Sequence, residues 1–336
     1  MISRKGAGRP RVQIPLLRLV LAMAFGLGVG TWPELDVSAQ TFSDRPLRFI
    51  VPFPAGGATD AVARAMQPAL EKILGQSVVV ENRSGAGSVL GVDAIAKSAP
   101  DGLTIGISGG GGLGVHVGQA VNRSYDPAKD LARISKAAET PFILVATPAL
   151  KANSLGDLIK LAKAGPNSIS IGYGGNGTGM HFAAQSFVTA ADVKINLVPY
   201  RGTAPVVTDV IAGHVQLGIA DPPPSMGAIS EGKLKAIAVS SKQRFPMFPD
   251  IPTFDEQGLK DFEITGWFGI VAPAATPREI LIRLNAVVVA ALKDPEVARR
   301  IRLVGMEPVP MTIEAFSAFV DSQIDRAARM QALGDK

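Results

Sequence analysis

The sequence predicts an α/β fold of two lobes, each a mostly parallel sheet flanked by helices. Strand-like and helix-like segments alternate along the chain from residue 47 onward, a pattern typical of β-α-β units. Two apolar segments, Thr140–Thr147 and Phe262–Pro273, break this alternation and are interpreted as the two crossings between lobes. Hydrophobic residues make up 47% of the 336 residues and charged residues 19%, which excludes a generally disordered chain.

Residues 1–39 have the features of a cleavable secretory signal peptide. Five basic residues, with no acidic residue among them, precede an apolar run at Leu19–Gly30, which is shorter than the ~20 residues of a membrane-spanning helix. Small residues at Val37 and Ala39 predict cleavage after Ala39. The segment contains five of the 34 basic and two of the 29 acidic residues, so the mature chain has a net charge of +2. We therefore expect a soluble, exported protein and no nucleic-acid binding.

The first lobe begins with three predicted strands separated by two helices. These are the strand Leu47–Phe53, the helix Ala58–Leu74, the strand Ser77–Arg83, the helix Val89–Ala99 and the strand Leu103–Ser108. After the first crossing, Ser154 opens a helix, and Asp157 three residues later resembles a capping box.

The second lobe continues the alternation to the second crossing. Its further elements are the strand Ser168–Tyr173, the helix Gly179–Ala191, the strand Ile195–Tyr200, the helix Ala204–Ala212 and the strands Val215–Asp221 and Leu234–Ser240. A helical tail starts at Pro277, a residue type favoured in the first helical turn. The first lobe is thus expected to be discontinuous, about 40–140 plus 264–336, and the second to span about 141–263.

Three glycine-rich loops lie between a strand end and a helix start, at Pro54–Asp60, Ser108–Gly114 and Gly172–Thr178. Ligands of open α/β sheets bind at the carboxyl ends of the strands. Glycine there allows backbone N–H groups to approach a ligand, and a helix N-terminus favours an anion. Each loop alone could be only a tight turn, but three loops on one face favour a binding site. The first loop predicts a carboxylate cradle, formed by Gly56, Gly57, Ala58 and Thr59.

The sequence gives little support for a catalytic site or a cofactor-binding site. Two loops match a dinucleotide fingerprint, but no acidic residue ends the strand that follows either one. Ser108 stands in a G-x-S-x-G pattern, but a hydrolase also needs an acid and a histidine later in the chain, and the chain has three histidines. With no cysteine, thiol chemistry is excluded. We expect no cofactor, no metal and no enzymatic activity.

Several other polar or aromatic residues could face a ligand. Asp221 ends a strand, and Pro222–Pro224 are expected to fix a loop after it. Its carboxylate could accept a hydrogen bond from a ligand amine or hydroxyl, or cap the next helix. Arg201 could pair with a carboxylate or be solvated, and Trp267 and Phe268 could line the cleft or pack between the lobes.

Five segments together resemble one family, the extracytoplasmic solute-binding proteins of the tripartite tricarboxylate transporter type, also called Bug proteins. They are RPLRFIVPFPAGGATDAVARAMQPALEKILGQSVVVENRSGAGSVLGVDAIAKSAPDG (Arg45–Gly102), SYDPAKDL (Ser124–Leu131), VPYRGTAPVVTDVIAGHVQLGIADPPPS (Val198–Ser225), GKLKAIAVSSKQRFPMFPDIPTFDEQG (Gly232–Gly258) and GWFGIVAPAATP (Gly266–Pro277). The resemblance covers essentially the whole mature chain.

The resemblance implies a two-lobed periplasmic binding fold, of the type II-like Venus flytrap kind, that traps a small organic anion. The ligand would be a di- or tricarboxylate, an aromatic acid or an amino acid, held by N–H groups, hydroxyls and water. The implied contacts are Phe53, Gly56, Gly57, Ala58, Thr59, Asp60 and Ser108 in the first lobe, and Asn176, Gly177, Thr178, His181, Thr203 and Asp221 in the second.

The functional hypothesis is a monomeric, non-catalytic periplasmic receptor that delivers a carboxylate to membrane subunits of a secondary transporter. Two alternatives stay open from the sequence. One is a sensor partner that reports the ligand to a signalling system, and the other, less favoured, is a periplasmic hydrolase.

Overall fold

The computed structural model describes residues 45–115 and 124–334, so the predicted signal peptide lies outside the described residues. The described residues form eleven strands and nine α-helices. The strands are β1 Leu47–Val51, β2 Val78–Asn82, β3 Thr104–Gly109, β4 Leu131–Pro141, β5 Ile143–Ala146, β6 Ser170–Tyr173, β7 Asn196–Pro199, β8 Leu217–Ala220, β9 Lys235–Val239, β10 Thr265–Pro273 and β11 Glu307–Pro308. The helices are α1 Ala58–Leu74, α2 Val89–Ala96, α3 Leu155–Ala164, α4 Gly179–Ala190, α5 Thr203–Ala212, α6 Pro222–Ser230, α7 Arg278–Lys293, α8 Pro295–Leu303 and α9 Ile313–Gly334.

The strands form two separate sheets. The six-stranded sheet has the order β11-β4-β10-β3-β1-β2, and the five-stranded sheet has the order β7-β6-β8-β5-β9. We call the elements around the six-stranded sheet the first lobe and those around the five-stranded sheet the second lobe. The two-lobed α/β fold predicted from the sequence is confirmed, whereas the boundaries given for the lobes stay a prediction.

Both sheets are mixed, with less parallel pairing than the sequence predicts. Strands β1, β2 and β3 are parallel to one another, as are β6, β7 and β8. The strands at the crossings are antiparallel to their neighbours, because β10 returns the chain to the first sheet beside β4, and β5 enters the second sheet between β8 and β9. The parallel triplets bring the glycine-rich loops to the carboxyl edge of each sheet.

Each lobe has its own hydrophobic core. In the first lobe, Phe49 of β1 packs in one cluster with Met66 and Leu70 of α1. In the second, Ile171 of β6 clusters with Phe187 and Phe254. These side chains are fully buried, and burial of that kind typically stabilises a fold by about 1.5–3 kcal/mol per large apolar side chain.

Several elements differ from the sequence-based expectation, among them the strands β4 and β11 and the start of α6. Residues 131–139 belong to the long strand β4, which the sequence analysis did not predict. Pro222–Pro224 do not fix a loop but form the first turn of α6. A first helical turn tolerates proline because its N–H groups have no intrahelical acceptor. No helix among the described residues combines the length and hydropathy needed to span a membrane.

Candidate functional site

A cavity of about 100 Å³ lies between the lobes, at the carboxyl ends of the parallel strands. That volume has room for roughly seven to ten water molecules, or a ligand of similar size. The first-lobe walls include Phe53, Pro54, Gly57, Ala58, Thr59, Ser88, Gly109, Gly110, Gly111, Gly112, Val115, Gly266, Trp267 and Phe268. The second-lobe walls and crossings add Phe142, Thr178, Gly179, Met180, Phe182, Gly202, Thr203, Ala204, Asp221, Glu263 and Ile264.

The first loop places the start of α1 at the cavity. Gly57 is the N-cap residue in an extended conformation, and no side chain caps the helix. The first N–H groups of a helix have no intrahelical acceptor and carry a partial positive charge. Gly57, Ala58 and Thr59 line the cavity at this turn. Their position is that of an anion-binding helix N-terminus.

Asp60 supports this loop from behind the cavity. Its carboxylate accepts hydrogen bonds from Gly56 N at 3.0 Å, Arg64 Nε at 2.9 Å and Asn82 Nδ2 at 3.0 Å. Burial raises the pKa of Asp60, but the hydrogen bonds from Arg64, Gly56 and Asn82 outweigh that effect and hold the pKa below its usual value. The carboxylate is therefore ionised and engaged. Neither Asp60 nor Gly56 lines the cavity, so their sequence-based assignment as ligand contacts fits a positioning role better.

The third loop opens α4 toward the same cavity. Thr178 is the N-cap residue, and its Oγ1 accepts from His181 N at 3.2 Å and donates to Gly175 O at 2.7 Å. His181 stacks on Tyr173 with ring centroids 4.5 Å apart. The Nδ1 of His181 accepts from Gly177 N at 3.2 Å. Burial lowers the pKa of His181, which favours the neutral ring that can accept this bond.

Of the residues predicted in this loop, Thr178 lines the cavity, whereas Asn176, Gly177 and His181 lie outside its lining. Asn176 Oδ1 accepts from Tyr173 Oη at 2.7 Å. The three residues fix the conformation of the loop that presents Thr178. Arg201 is exposed and is not part of the lining either.

Thr203 and Asp221 form a buried polar pair on the second-lobe wall. Thr203 is the first residue of α5, and its Oγ1 donates to Asp221 Oδ2 at 2.8 Å. Asp221 is only 4% exposed, and its other oxygen, Oδ1, is buried without a hydrogen-bond partner among the described residues. Burial raises the pKa of Asp221 to about 6, although the hydrogen bond from Thr203 acts against that rise.

Ser108 is not at the cavity surface. It lies within strand β3, opposite Gly269 of β10, and its Oγ donates to Gly109 O at 3.2 Å. A hydrolase nucleophile of the G-x-S-x-G type stands on a strained turn between strand and helix. The position of Ser108 inside a paired strand contradicts that interpretation.

Aromatic side chains that sequence reasoning did not assign to the site form much of the wall. Phe142 lies at the first crossing, and Phe182 lies one turn into α4. Trp267 of β10 lines the cavity, which is one of the two roles considered for it. It also packs edge-on against Phe316 and Phe319 of α9, so this ring packing is within the first lobe and not between the lobes. Phe142 and Trp267 lie in the two apolar crossings, and that apolar character could have indicated that they line the cavity. No local sequence pattern distinguishes Phe182.

The lobes touch across the cavity at glycines. A Cβ atom on Gly87 would overlap the carbonyl oxygen of Asn176, and one on Gly111 would overlap that of Gly177. A Cβ on Gly202 would lie 3.1 Å from the ring of Pro54. In each pair, one residue belongs to the first lobe and the other to the second, so the lobes approach each other closely at positions where a side chain would keep them apart.

The sequence matches a family model described as the tripartite tricarboxylate transporter family receptor, over residues 62–334. Protein BugT of Bordetella pertussis (strain Tohama I) is 37% identical over 87% of this chain and 90% of its own length. Among solved structures, the periplasmic binding protein BugD is 33% identical, with a TM-score of 0.82 over 87% of this chain and 98% of that one. R. palustris Rpa4515 with adipate is 31% identical, with a TM-score of 0.82 over 90% of this chain and 98% of that one.

A receptor family model covers most of the chain, and both solved relatives match it over nearly their full length. The family model covers ten of the eleven strands and the second and third glycine-rich loops, whereas β1 and the first loop precede residue 62. The chain therefore belongs to the tripartite tricarboxylate transporter receptor family, a family of periplasmic solute-binding proteins.

Proposed function

We propose that this protein is an exported, monomeric receptor that captures a small organic carboxylate between its lobes and delivers it to membrane subunits of a secondary transporter. The observation that carries the proposal is the convergence of three helix starts on one cavity. Helices α1, α4 and α5 each place a threonine there, at Thr59, Thr178 and Thr203.

The chemistry of these helix starts suits a carboxylate. Their N–H groups and the Thr59 hydroxyl can donate hydrogen bonds, and the helix dipoles favour negative charge. The hydroxyls of Thr178 and Thr203 already donate within the protein. No Lys or Arg is among the described residues that line the cavity, so the attraction would come from local donors. The cavity has the size of a short dicarboxylate, and the R. palustris relative holds adipate.

Binding would shift the protein toward the closed arrangement of the lobes. The contacts of Gly87 with Asn176 and of Gly111 with Gly177 form only when the lobes are together. A ligand that adds contacts to both lobes binds that state better and increases its population. Transport subunits could then distinguish the loaded receptor from the empty one.

Isothermal titration calorimetry of the mature protein tests the carboxylate site. With succinate, adipate, glutamate and benzoate as probes, we expect at least one to bind. Replacement Thr59→Val keeps the shape but removes the hydroxyl, and it should weaken that binding roughly ten- to hundredfold. The matched control is Thr208→Val, because Thr208 is exposed on α5 outside the cavity. Unchanged affinity in the Thr59 variant, or an equal loss in both variants, would contradict the proposed cradle.

Delivery is tested by capture on the membrane subunits. Ligand-loaded protein should be retained by transporter subunits in detergent, and the empty protein should be retained less. A protein that binds ligand but is retained only by a signalling receptor would contradict the delivery role while leaving the binding role intact.

A further inference from the structure

Asp221 is a buried carboxylate with an unused acceptor in the cavity wall. Its Oδ2 is held by Thr203 Oγ1 at 2.8 Å, whereas Oδ1 has no hydrogen-bond partner among the described residues. The residue is 4% exposed and lines the cavity. Buried carboxylate oxygens are normally hydrogen-bonded, because an unpaired one has lost its water without replacement.

The sequence after Asp221 explains why no local group fills this gap. Asp221 is the N-cap residue of α6, and an N-cap side chain normally accepts from the N–H of the second or third helical residue. Here those residues are Pro223 and Pro224, which have no N–H. The alternative in which Asp221 merely caps its helix is therefore wrong, and the structure reports no side-chain capping bond.

The backbone of Asp221 is nevertheless fixed. Ser225 Oγ donates to the carbonyl oxygen of Asp221 at 2.7 Å. Thr203 fixes the rotation of the carboxylate from the other side. Thr203 and Ser225 thus hold the carboxylate and the backbone of Asp221 in place. Because Asp221 lines the cavity, a ligand there could supply the missing partner of Oδ1.

A second carboxylate would be a poor partner for this oxygen. It has no proton to donate at neutral pH, and it would repel an ionised Asp221. An ammonium group offers both a donor and the opposite charge, and a hydroxyl offers a donor alone. Phe142, Phe182 and Trp267 provide apolar surface for a carbon skeleton.

We infer that the ligand is an amino carboxylate, whose carboxylate binds at the helix starts and whose ammonium group donates to Oδ1 of Asp221. The inference rests on the proposed function and narrows its ligand class. A hydroxy acid would satisfy the same oxygen less strongly, and a simple dicarboxylate would leave it unpaired.

Two matched ligand series test this preference by calorimetry. One is hexanoate, 6-hydroxyhexanoate, 6-aminohexanoate and adipate, which varies the end of one skeleton. The other is succinate, malate and aspartate, which varies a group beside a carboxylate. In at least one series the ammonium member should bind at least tenfold more tightly than the member without a donor, which corresponds to about 1.4 kcal/mol.

The variant Asp221→Asn should remove the preference for the ammonium member, because its amide is neutral but can still accept from Thr203. Asp250→Asn is the matched control, since Asp250 is exposed and outside the cavity, and it should keep the preference. Equal binding within both series, or a preference that survives in Asp221→Asn, would overturn the inference and leave the proposed function standing. Absence of binding by every member would overturn both.

Discussion

Asp60 and Asp221 are two buried aspartates beside the same cavity in opposite electrostatic situations. Asp60 accepts hydrogen bonds from a guanidinium, an amide side chain and a backbone N–H, and these keep its pKa low. Asp221 has one hydroxyl partner, and burial raises its pKa to about 6. Both oxygens of Asp60 accept hydrogen bonds within the first lobe. In Asp221, Oδ1 has no hydrogen-bond partner among the described residues.

This contrast predicts a pH dependence of stability in the ligand-free protein. Because the folded-state pKa of Asp221 is about 6 and its ordinary value is 3.8, the group favours folding when protonated, below about pH 4. That contribution is lost as the pH rises through 6. Between pH 4 and 7, the free energy of unfolding of the wild type should fall relative to that of Asp221→Asn by on the order of 3 kcal/mol.

Urea unfolding at a series of pH values measures this difference. The comparison with Asp221→Asn cancels the titration of groups that both proteins share. If the two curves of unfolding free energy against pH ran parallel, the environment assigned to Asp221 would be wrong.

The sequence could not distinguish these two aspartates fully. Both lie close to a strand end and a helix start, and the side-chain partners of Asp60 are Arg64 in its own helix and Asn82 in β2. That second partner depends on the pairing of β1 with β2. The three prolines after Asp221, in contrast, are visible in the sequence and already argue against a capping role.

At the scale of elements, glycine–carbonyl contacts set how closely the loops of the two lobes approach. Gly111, in the turn after β3, faces the carbonyl oxygen of Gly177, in the loop before α4. Both partners are backbone, so neither can rotate aside as a flexible side chain would. The sequence placed these loops on one face correctly, but it could not reveal which glycines of opposite lobes meet.

The replacement Gly111→Ala should therefore hinder closure without changing any ligand-binding side chain. Its Cβ would collide with the Gly177 carbonyl, and overpacking of this kind costs about 1–3 kcal/mol. Since apparent affinity falls with the population of the competent state, we expect carboxylate binding to weaken by roughly tenfold or more.

Calorimetry with the best-bound carboxylate measures that loss, and small-angle scattering shows whether the ligand still compacts the protein. Gly227→Ala is the matched control, because a Cβ there meets nothing within 4 Å. If Gly111→Ala bound and compacted like the wild type, the contact would not limit closure.

At the scale of the whole molecule, the two crossings lie side by side and share one buried serine. Thr265 at the start of β10 is paired with Pro141 at the end of β4. Ser240 Oγ accepts from Phe142 N at 2.8 Å and donates to Ile264 O. Its backbone adds bonds with the same two residues, from Ser240 N to Phe142 O and from Ile264 N to Ser240 O, both at 2.9 Å.

Loss of this hydroxyl should destabilise the protein as a whole. Ser240→Ala would leave a buried N–H and a buried carbonyl without their side-chain partner, at a cost of about 1–3 kcal/mol. Thermal unfolding should show a lower Tm, by a few degrees. Ser241→Ala is the neighbouring control, since its hydroxyl bonds only within its own loop. Equal Tm values for the two variants would show that the Ser240 hydroxyl does not join the crossings.

The alternation of elements was enough to predict two lobes and their order, because local apolar patterns encode strands and helices. The walls of the cavity were predicted less completely. Thr59, Thr203 and Asp221 were predicted from their positions near strand ends and helix starts, and Phe53 and Thr178 from the family resemblance. Phe182 and Ser88 reach the cavity only through the packing of the two lobes.

The bonds of Ser240 also determine where the chain can bend. Phe142 and Ile264 are tied to Ser240, which directly follows β9 and so moves with the second lobe. Pro141 and Thr265 are tied to each other in the first sheet. We therefore expect the torsion changes of closure to fall on the φ and ψ dihedrals beside two adjacent peptide bonds, Pro141–Phe142 and Ile264–Thr265, so that the first lobe rotates there relative to the second.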